Sequence, residues 1–260
     1  AGGTRMRLAC TEAGEGPPLI LLHGLFGAGH NWGAIRRALA PRFRVLTPDL
    51  RNHGASARNP DMSYTAMARD IADTLDAAGI ARAAVLGHSM GGKAAMAFAL
   101  AHPDRVDRLV VADIAPVRYR PALREYVAAM QALPLRPGLA RKEADAFLAP
   151  TIPEAGIRAF LLQNLRFEAD PPAWRLGLAE IAAAMPAIEG FDPPPGARYD
   201  GPVLAMAGER SGYIRPEHHE AFRALFPQVR FTIVPGAGHW VHAENPAGFL
   251  ALLEPFLSAA

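Results

Sequence analysis

Short apolar runs alternate with longer segments of helical periodicity along most of the chain. Six runs of seven or eight residues predict buried strands, at 17–24, 44–50, 83–89, 108–114, 202–209 and 230–236. Five intervening segments repeat apolar residues at helical spacing and predict helices, at 30–39, 65–78, 91–102, 216–226 and 246–257. Strands that are apolar on both faces and separated by helices indicate a mostly parallel sheet flanked by helices, an α/β fold.

One long segment breaks this alternation. Residues 115–200 carry helical patterns and no convincing strand, with the helices expected at 122–133, 141–147, 156–165 and 174–184. Proline-containing joints at 115–116 and 192–196 bracket the segment. Roughly 80 residues is well beyond an ordinary crossover. We therefore expect a core formed by residues 1–114 and 201–260, with residues 115–200 inserted between two strands as a helical cap.

Composition and charge exclude several classes of protein. The 260 residues include 27 Lys and Arg against 25 Asp and Glu, and no dense basic run occurs, which argues against a nucleic-acid partner. A single cysteine, Cys10, excludes an internal disulfide and a cysteine-based zinc site. The apolar runs are too short to span a bilayer, and the first ten residues lack the apolar stretch of a signal peptide. We expect a cytoplasmic protein with no membrane span and no metal site; its oligomeric state is left open.

The segment Gly87-His88-Ser89-Met90-Gly91 matches the G-x-S-x-G pattern. It lies between a predicted strand and a predicted helix, the setting in which this pattern holds a nucleophilic serine on a sharp turn. The two glycines allow neighbouring backbone to approach the turn closely. We predict that Ser89 is a catalytic nucleophile, the alternative being an ordinary glycine-rich turn with an incidental serine.

A serine nucleophile needs a base and a group that orients the base. His239 follows the last predicted strand and is the expected base. An acid often follows the preceding strand in a G-x-x-D pattern, but residues 208–211 read Gly-Glu-Arg-Ser here. We therefore assign Asp113, at the end of the strand 108–114, as the acid, with Glu209 as the alternative.

The developing negative charge on the substrate oxygen requires two backbone N–H donors. Met90, which follows the nucleophile, is one expected donor of this oxyanion hole. Leu25, in the glycine-containing loop after the first long strand, is the other. Phe26 and Trp240, adjacent to that loop and to the predicted base, are the expected substrate-binding residues.

These residues resemble the α/β-hydrolase superfamily, and within it the YbfF-like bacterial esterases and their mitochondrial abhydrolase relatives. The resemblance is carried by HGLFGAGHNW (23–32), PDLRNHGAS (48–56), GHSMGGKAAM (87–96), VADIAPV (111–117) and VPGAGHWVHAENP (234–246). It implies an α/β-hydrolase fold and hydrolysis of acyl esters or thioesters without a metal or organic cofactor. It also implies that an acid at Asp113 is acceptable.

We accordingly predict a serine carboxylesterase that hydrolyses small-molecule esters of short- to medium-chain acyl groups, with thioesters as a related class. Two other activities retain the same three residues, that of cofactor-free perhydrolases or haloperoxidases and that of carbon–carbon bond hydrolases. The non-enzymatic alternative is a ligand receptor or interaction module built on the same fold.

The predicted cap offers apolar and aromatic candidates for the substrate cleft, most of which we expect to be packing residues: Tyr119, Tyr126, Met130, Phe147, Phe160, Leu161, Phe167, Trp174 and Met185. Lys93, Arg118 and Arg120 are possible contacts for an acidic acyl group or coenzyme A. A solvated position is the simpler expectation for each of these three basic residues.

Overall fold

The computed structural model describes residues 5–259. Its strands, in chain order, are β1 (Cys10–Ala13), β2 (Pro18–Leu22), β3 (Arg44–Pro48), β4 (Ala83–His88), β5 (Val106–Ala112), β6 (Leu165–Arg166), β7 (Ala173–Trp174), β8 (Val203–Gly208) and β9 (Val229–Val234). Its α-helices are α1 (Gly33–Leu39), α2 (Tyr64–Ala77), α3 (Met90–Ala101), α4 (Arg124–Ala132), α5 (Arg141–Leu148), α6 (Ala155–Leu162), α7 (Leu178–Glu189), α8 (His219–Leu225), α9 (Val241–Glu244) and α10 (Pro246–Ser258). No helix in this part of the chain combines the length and apolarity needed to cross a membrane.

Seven of the strands form one sheet in the order β1-β3-β2-β4-β5-β8-β9. The strands from β3 to β9 in this order run parallel, whereas β1 pairs antiparallel with β3 at the edge. This confirms the predicted α/β class and the mostly parallel sheet. The carboxyl ends of parallel strands meet at one edge of a sheet, which is where such folds place their ligands.

The sheet is apolar on both faces because helices cover both. Successive residues of β4 illustrate this, since Val85 belongs to one buried cluster and Leu86 to the other. On one face the cluster includes Ile71 of α2 and Phe98 of α3. On the other it includes Ile35 of α1. The six predicted strands lie within two residues of their expected limits. Burial makes β2 to β5 and β8 mostly continuous apolar runs. In the edge strand β9 only Val234 is buried.

The edge strand β1 was not predicted from the pattern. Three of its four residues are exposed, so the segment CTEA has no apolar face to read. Its position is set by pairing with β3, in the register Cys10 to Pro48. The place of β1 in the sheet is thus determined by pairing with β3, and its own sequence pattern does not predict it.

Helices α4–α7 lie between β5 and β8, in the segment expected to be helical. The expectation of no strand there is wrong in one detail, because β6 and β7 form a short antiparallel pair with Leu165 opposite Trp174. The helices predicted at 156–165 and 174–184 therefore each include a residue that belongs to this pair. Two-residue strands are too short to produce a readable alternation.

Candidate active site

The turn between β4 and α3 holds Ser89 in a conformation that L-residues rarely adopt, with φ 55° and ψ −121°. A Cβ atom on Gly87 would lie 2.0 Å from the carbonyl oxygen of Gly91, and one on Gly91 would lie 2.4 Å from that of His23. Both glycines are therefore required by close approach of backbone. The result is a strained residue at the carboxyl end of the sheet, directly before the N-terminus of α3.

Ser89, His239 and Asp113 come together although they are far apart in sequence. His239 Nε2 lies 3.0 Å from Ser89 Oγ, and His239 Nδ1 lies 2.7 Å from Asp113 Oδ2. A carboxylate only accepts hydrogen bonds, so Nδ1 carries the proton and Nε2 of the neutral ring accepts from the serine hydroxyl. The arrangement has the geometry of a nucleophile, a base and a group that orients the base.

The Asp113 carboxylate is fully buried and is held by two further donors. Its Oδ1 accepts from the backbone N–H of Gly208 at 3.0 Å, and its Oδ2 accepts from Ser211 Oγ. Ser211 is the residue that stands where a G-x-x-D acid would stand. Glu209, the alternative acid, is exposed and instead accepts from the N–H of Gly236 at 3.1 Å. It has no contact of this kind with His239.

Leu25 and Met90 line the same cavity as Ser89. Met90 is the first residue of α3, and its N–H has no acceptor within the helix. In the loop after β2, the N–H groups of Phe26 and Gly27 are bonded, whereas that of Leu25 has no acceptor among residues 5–259. The N–H groups of the expected oxyanion donors, Leu25 and Met90, thus take no part in the hydrogen bonds of the fold.

Two buried histidines support this loop. His23 Nδ1–H donates to Gly24 O at 2.8 Å and Nε2 accepts from the N–H of Leu50 at 2.9 Å. His53 Nδ1–H donates to Arg51 O, and its Nε2 accepts from the N–H of Phe26 at 3.1 Å. Each ring is therefore a neutral tautomer that donates on one side and accepts on the other. His53 is completely buried although it lies in the loop that follows β3.

Burial keeps these imidazoles neutral far below the ordinary titration range. It lowers the pKa of His23 to about 4 and that of His53 to about 3, and it likewise lowers the pKa of His242 to about 3. An unfolded chain would bind protons on all three rings as the pH falls below about 6.5, while the folded chain would not. Lowering the pH therefore stabilises the unfolded state relative to the folded state.

We expect the free energy of unfolding to fall as the pH is lowered from about 6.5 to about 4. The loss is at most about 1.4 kcal/mol per pH unit for each of these rings. Urea unfolding at a series of pH values measures the slope. The substitution His53→Gln keeps a donor and an acceptor and should reduce the slope by about one proton, whereas exposed His30→Gln should not. A flat profile between pH 7 and pH 5 would contradict the assignment.

Two cavities open at Ser89. The smaller, with a volume of about 60 Å³, is lined by Met90, Lys93, Tyr119 and Met185 among others. The larger, of about 290 Å³, is lined by both expected substrate-binding residues, Phe26 and Trp240, and also by His239. Of the apolar candidates in the inserted segment, five line one of the cavities: Tyr119, Tyr126, Phe160, Leu161 and Met185. Met130 lies in the core, and Phe147 is exposed.

Sequence reasoning did not name Tyr213, and it favoured a solvated position for Lys93. The ring of Tyr213 stacks on the imidazole of His239 at 4.0 Å between centroids and lines both cavities. Lys93 was expected in solvent but is 1 % exposed, and its ammonium donates to the carbonyl oxygens of Glu189 and Gly190 at 3.0 and 2.9 Å. Burial lowers the pKa of Lys93 to about 7. The Gly-Gly-Lys sequence near the serine does not predict this burial of Lys93. The two carbonyl groups that bind its ammonium belong to the last residue of α7 and to the residue that follows it.

Within the described chain, no group of three or more His, Cys, Asp or Glu side chains is arranged to hold a metal ion. The groups in place at Ser89 are a hydroxyl beside an imidazole, a buried carboxylate behind the imidazole, and two N–H donors that the fold leaves unbonded. This set is suited to attack on an acyl carbonyl and to holding the oxyanion that results.

Comparison with known proteins identifies the family and several similar chains. Residues 17–246 match a family model described as the alpha/beta hydrolase fold. A mouse protein named sn-1-specific diacylglycerol lipase ABHD11 is 43% identical over 250 residues, which cover 93% of this chain and 81% of that protein. Esterase YbfF of Escherichia coli strain K12 is 38% identical over 242 residues, covering 93% of each. A solved structure titled marine microorganism esterase superposes with a TM-score of 0.94 at 36% identity, covering 96% of this chain and 99% of the other.

Proposed function

Because this chain belongs to the α/β-hydrolase family, we propose that it is a serine carboxylesterase that hydrolyses short- to medium-chain acyl esters through an acyl-enzyme. At the coarser level it is an esterase- or lipase-type hydrolase of carboxylic esters, as its relatives are named. That assignment removes the receptor or interaction module from consideration. The observation that carries the finer proposal is the 3.0 Å approach of His239 Nε2 to Ser89 Oγ.

The first half of the reaction forms the acyl-enzyme. Ser89 Oγ attacks the ester carbonyl carbon while its proton passes to His239 Nε2. The carbonyl oxygen becomes an oxyanion that accepts from the N–H groups of Leu25 and Met90. The C–O bond to the alcohol then breaks, and the proton on Nε2 moves to the departing oxygen, which leaves as a neutral alcohol.

The second half repeats these steps with water. His239 Nε2 takes a proton from water, whose oxygen attacks the acyl carbon, and the same proton returns to Ser89 Oγ as the acid product leaves. Throughout, the Asp113 carboxylate keeps the proton on Nδ1 and stabilises the imidazolium. Neither half requires a metal or an organic cofactor.

We also propose that residues 115–200 act as a cap over the serine. The segment lies between β5 and β8, and its side chains contribute to both cavities, including Ala122 and Leu123, which line the two together. Substrate choice is then set by this segment, while the chemistry is set by the core.

A labelling and turnover experiment tests the proposal. The protein should hydrolyse p-nitrophenyl esters from acetate to octanoate and should bind one equivalent of a fluorophosphonate probe, with complete loss of activity. A chelator should leave the rate unchanged. A series of acyl thioesters with the same acyl groups tests the related class. Absence of both turnover and labelling in folded protein would refute the proposal.

A further inference from the structure

The two cavities at Ser89 differ in size and are not equivalent with respect to the reaction. They share Ser89, Leu25, Ala122, Leu123 and Tyr213. One has a volume of about 60 Å³ and the other about 290 Å³. An ester bound with its carbonyl carbon at Ser89 has two substituents, one on carbon and one on oxygen. Each cavity must take one of them.

The position of His239 decides which substituent goes where. His239 lines the larger cavity and does not line the smaller one. Its Nε2 atom must deliver a proton to the departing oxygen, so that oxygen and the alcohol attached to it lie on the histidine side. The acyl chain then lies in the smaller cavity, beside Met90. We propose that the preferred substrates carry a short acyl group on a large apolar alcohol, an inference that rests on the proposed esterase function.

Hydrogen bonds hold three of the side chains that line the smaller cavity. Tyr64 donates through its hydroxyl to Ile188 O at 2.5 Å, and Tyr119 donates to Tyr213 O at 2.6 Å. Lys93 Nζ is held by the carbonyls at the end of α7, as described above. Leaving such groups unpaired is unfavourable. These three polar side chains are therefore held in place in the wall of the cavity.

The volume sets the length of the acyl group. A cavity of about 60 Å³ favours a short acyl group over a long one. A longer chain would have to pass Arg120, an exposed cation that lines the same cavity and offers no apolar cover.

The larger cavity has the opposite character. Its lining includes Tyr126, Phe160 and Trp240, and the rings of Phe160 and Trp240 meet edge to face at 5.7 Å between centroids. Aromatic side chains provide a large apolar surface for an alkyl or aryl alcohol. At nearly five times the volume of its neighbour, this cavity accepts an alcohol of six or more carbons.

A pair of isomeric esters tests the assignment. Hexyl acetate and ethyl hexanoate have the same composition, C8H16O2, and differ in whether the six-carbon chain lies on the alcohol or on the acyl side. We expect kcat/KM for hexyl acetate to exceed that for ethyl hexanoate by at least about tenfold, measured by acid release at constant pH. Equal values, or a preference for ethyl hexanoate, would overturn the inference.

Two variants locate the preference in the cavities. Met185→Ala enlarges the smaller cavity and should raise kcat/KM for ethyl hexanoate relative to hexyl acetate by about fivefold or more. The control Phe160→Ala, in the larger cavity, should not raise that ratio. Ile188→Ala, which enlarges the smaller cavity as well, replaces Met185→Ala if the latter does not fold. If Phe160→Ala raised the ratio equally, our placement of the acyl chain in the smaller cavity would be wrong.

The outcomes also separate this inference from the esterase proposal. If the protein cleaves neither isomer nor p-nitrophenyl acetate, the esterase function itself fails. If it cleaves p-nitrophenyl acetate and both isomers at similar rates, only the division of the two cavities is wrong.

Discussion

Replacing Ser89 with alanine should lower kcat for p-nitrophenyl acetate by about 10⁴-fold or more, because the hydroxyl, the imidazole and the carboxylate act as one unit. Alanine removes only the oxygen that lies 3.0 Å from His239 Nε2. The φ of 55° at this position strains alanine and serine alike, so the fold should be kept. Initial rates and single-turnover measurements on the same preparations give the comparison.

The matched control is Ser258→Ala, an exposed serine at the end of α10, which should retain the parent's rate. Thermal unfolding of both variants checks that the comparison is made between folded proteins. Folded Ser89→Ala with near-normal turnover would mean that another group is the nucleophile. The fluorophosphonate probe should label the parent and the Ser258→Ala variant but not the Ser89→Ala variant.

The second large effect is expected at the acid. Asp113→Asn preserves size and shape but offers His239 Nδ1 an amide in place of a carboxylate. The wrong tautomer is then favoured and the imidazolium loses its counter-charge, a change worth about 10⁴-fold in kcat in a serine–histidine–aspartate site. KM should change much less, because Asp113 lies behind the histidine and does not line either cavity.

Glu209→Gln is the comparison that decides between the two acids. The Glu209 carboxylate accepts from the N–H of Gly236, and an amide oxygen can do the same, so kcat and KM should remain close to those of the parent. If Glu209→Gln lowers kcat strongly and Asp113→Asn does not, the acid has been assigned to the wrong strand. Unfolding curves for both variants exclude loss of structure as the cause.

The buried strands and the residues at their carboxyl ends could be predicted from the sequence for the same reason. Parallel strands covered on both sides are continuous apolar runs, and the groups that follow them, such as Ser89 and His239, gather at one edge. Asp113 was assigned because residues 208–211 place a serine where the acid often stands, and the resemblance to a known family implied that this choice is acceptable. Neither source predicted β1, whose exposed residues have no pattern of their own.

What the sequence does not contain is the packing of the inserted segment against the core. Lys93 looks like a surface lysine until the carbonyls of Glu189 and Gly190 are brought to its ammonium. His53 looks like a loop histidine until the N–H of Phe26 approaches it. The residues joined by these contacts are more than 90 positions apart for Lys93 and 27 apart for His53, so no local pattern reports either contact.

The hydrogen bond between Ser211 and Asp113 has a consequence for how this site evolves. The hydroxyl of Ser211, after β8, and the imidazole of His239 bond to the same oxygen of the Asp113 carboxylate. Acquiring Ser211→Asp first, and losing the carboxylate at 113 afterwards, would transfer the acid from one strand to its neighbour. The intermediate would hold two carboxylates in contact in a buried site, where like charges disfavour ionisation of both. The hydroxyl at 211 supports the acid at 113 without creating such a pair.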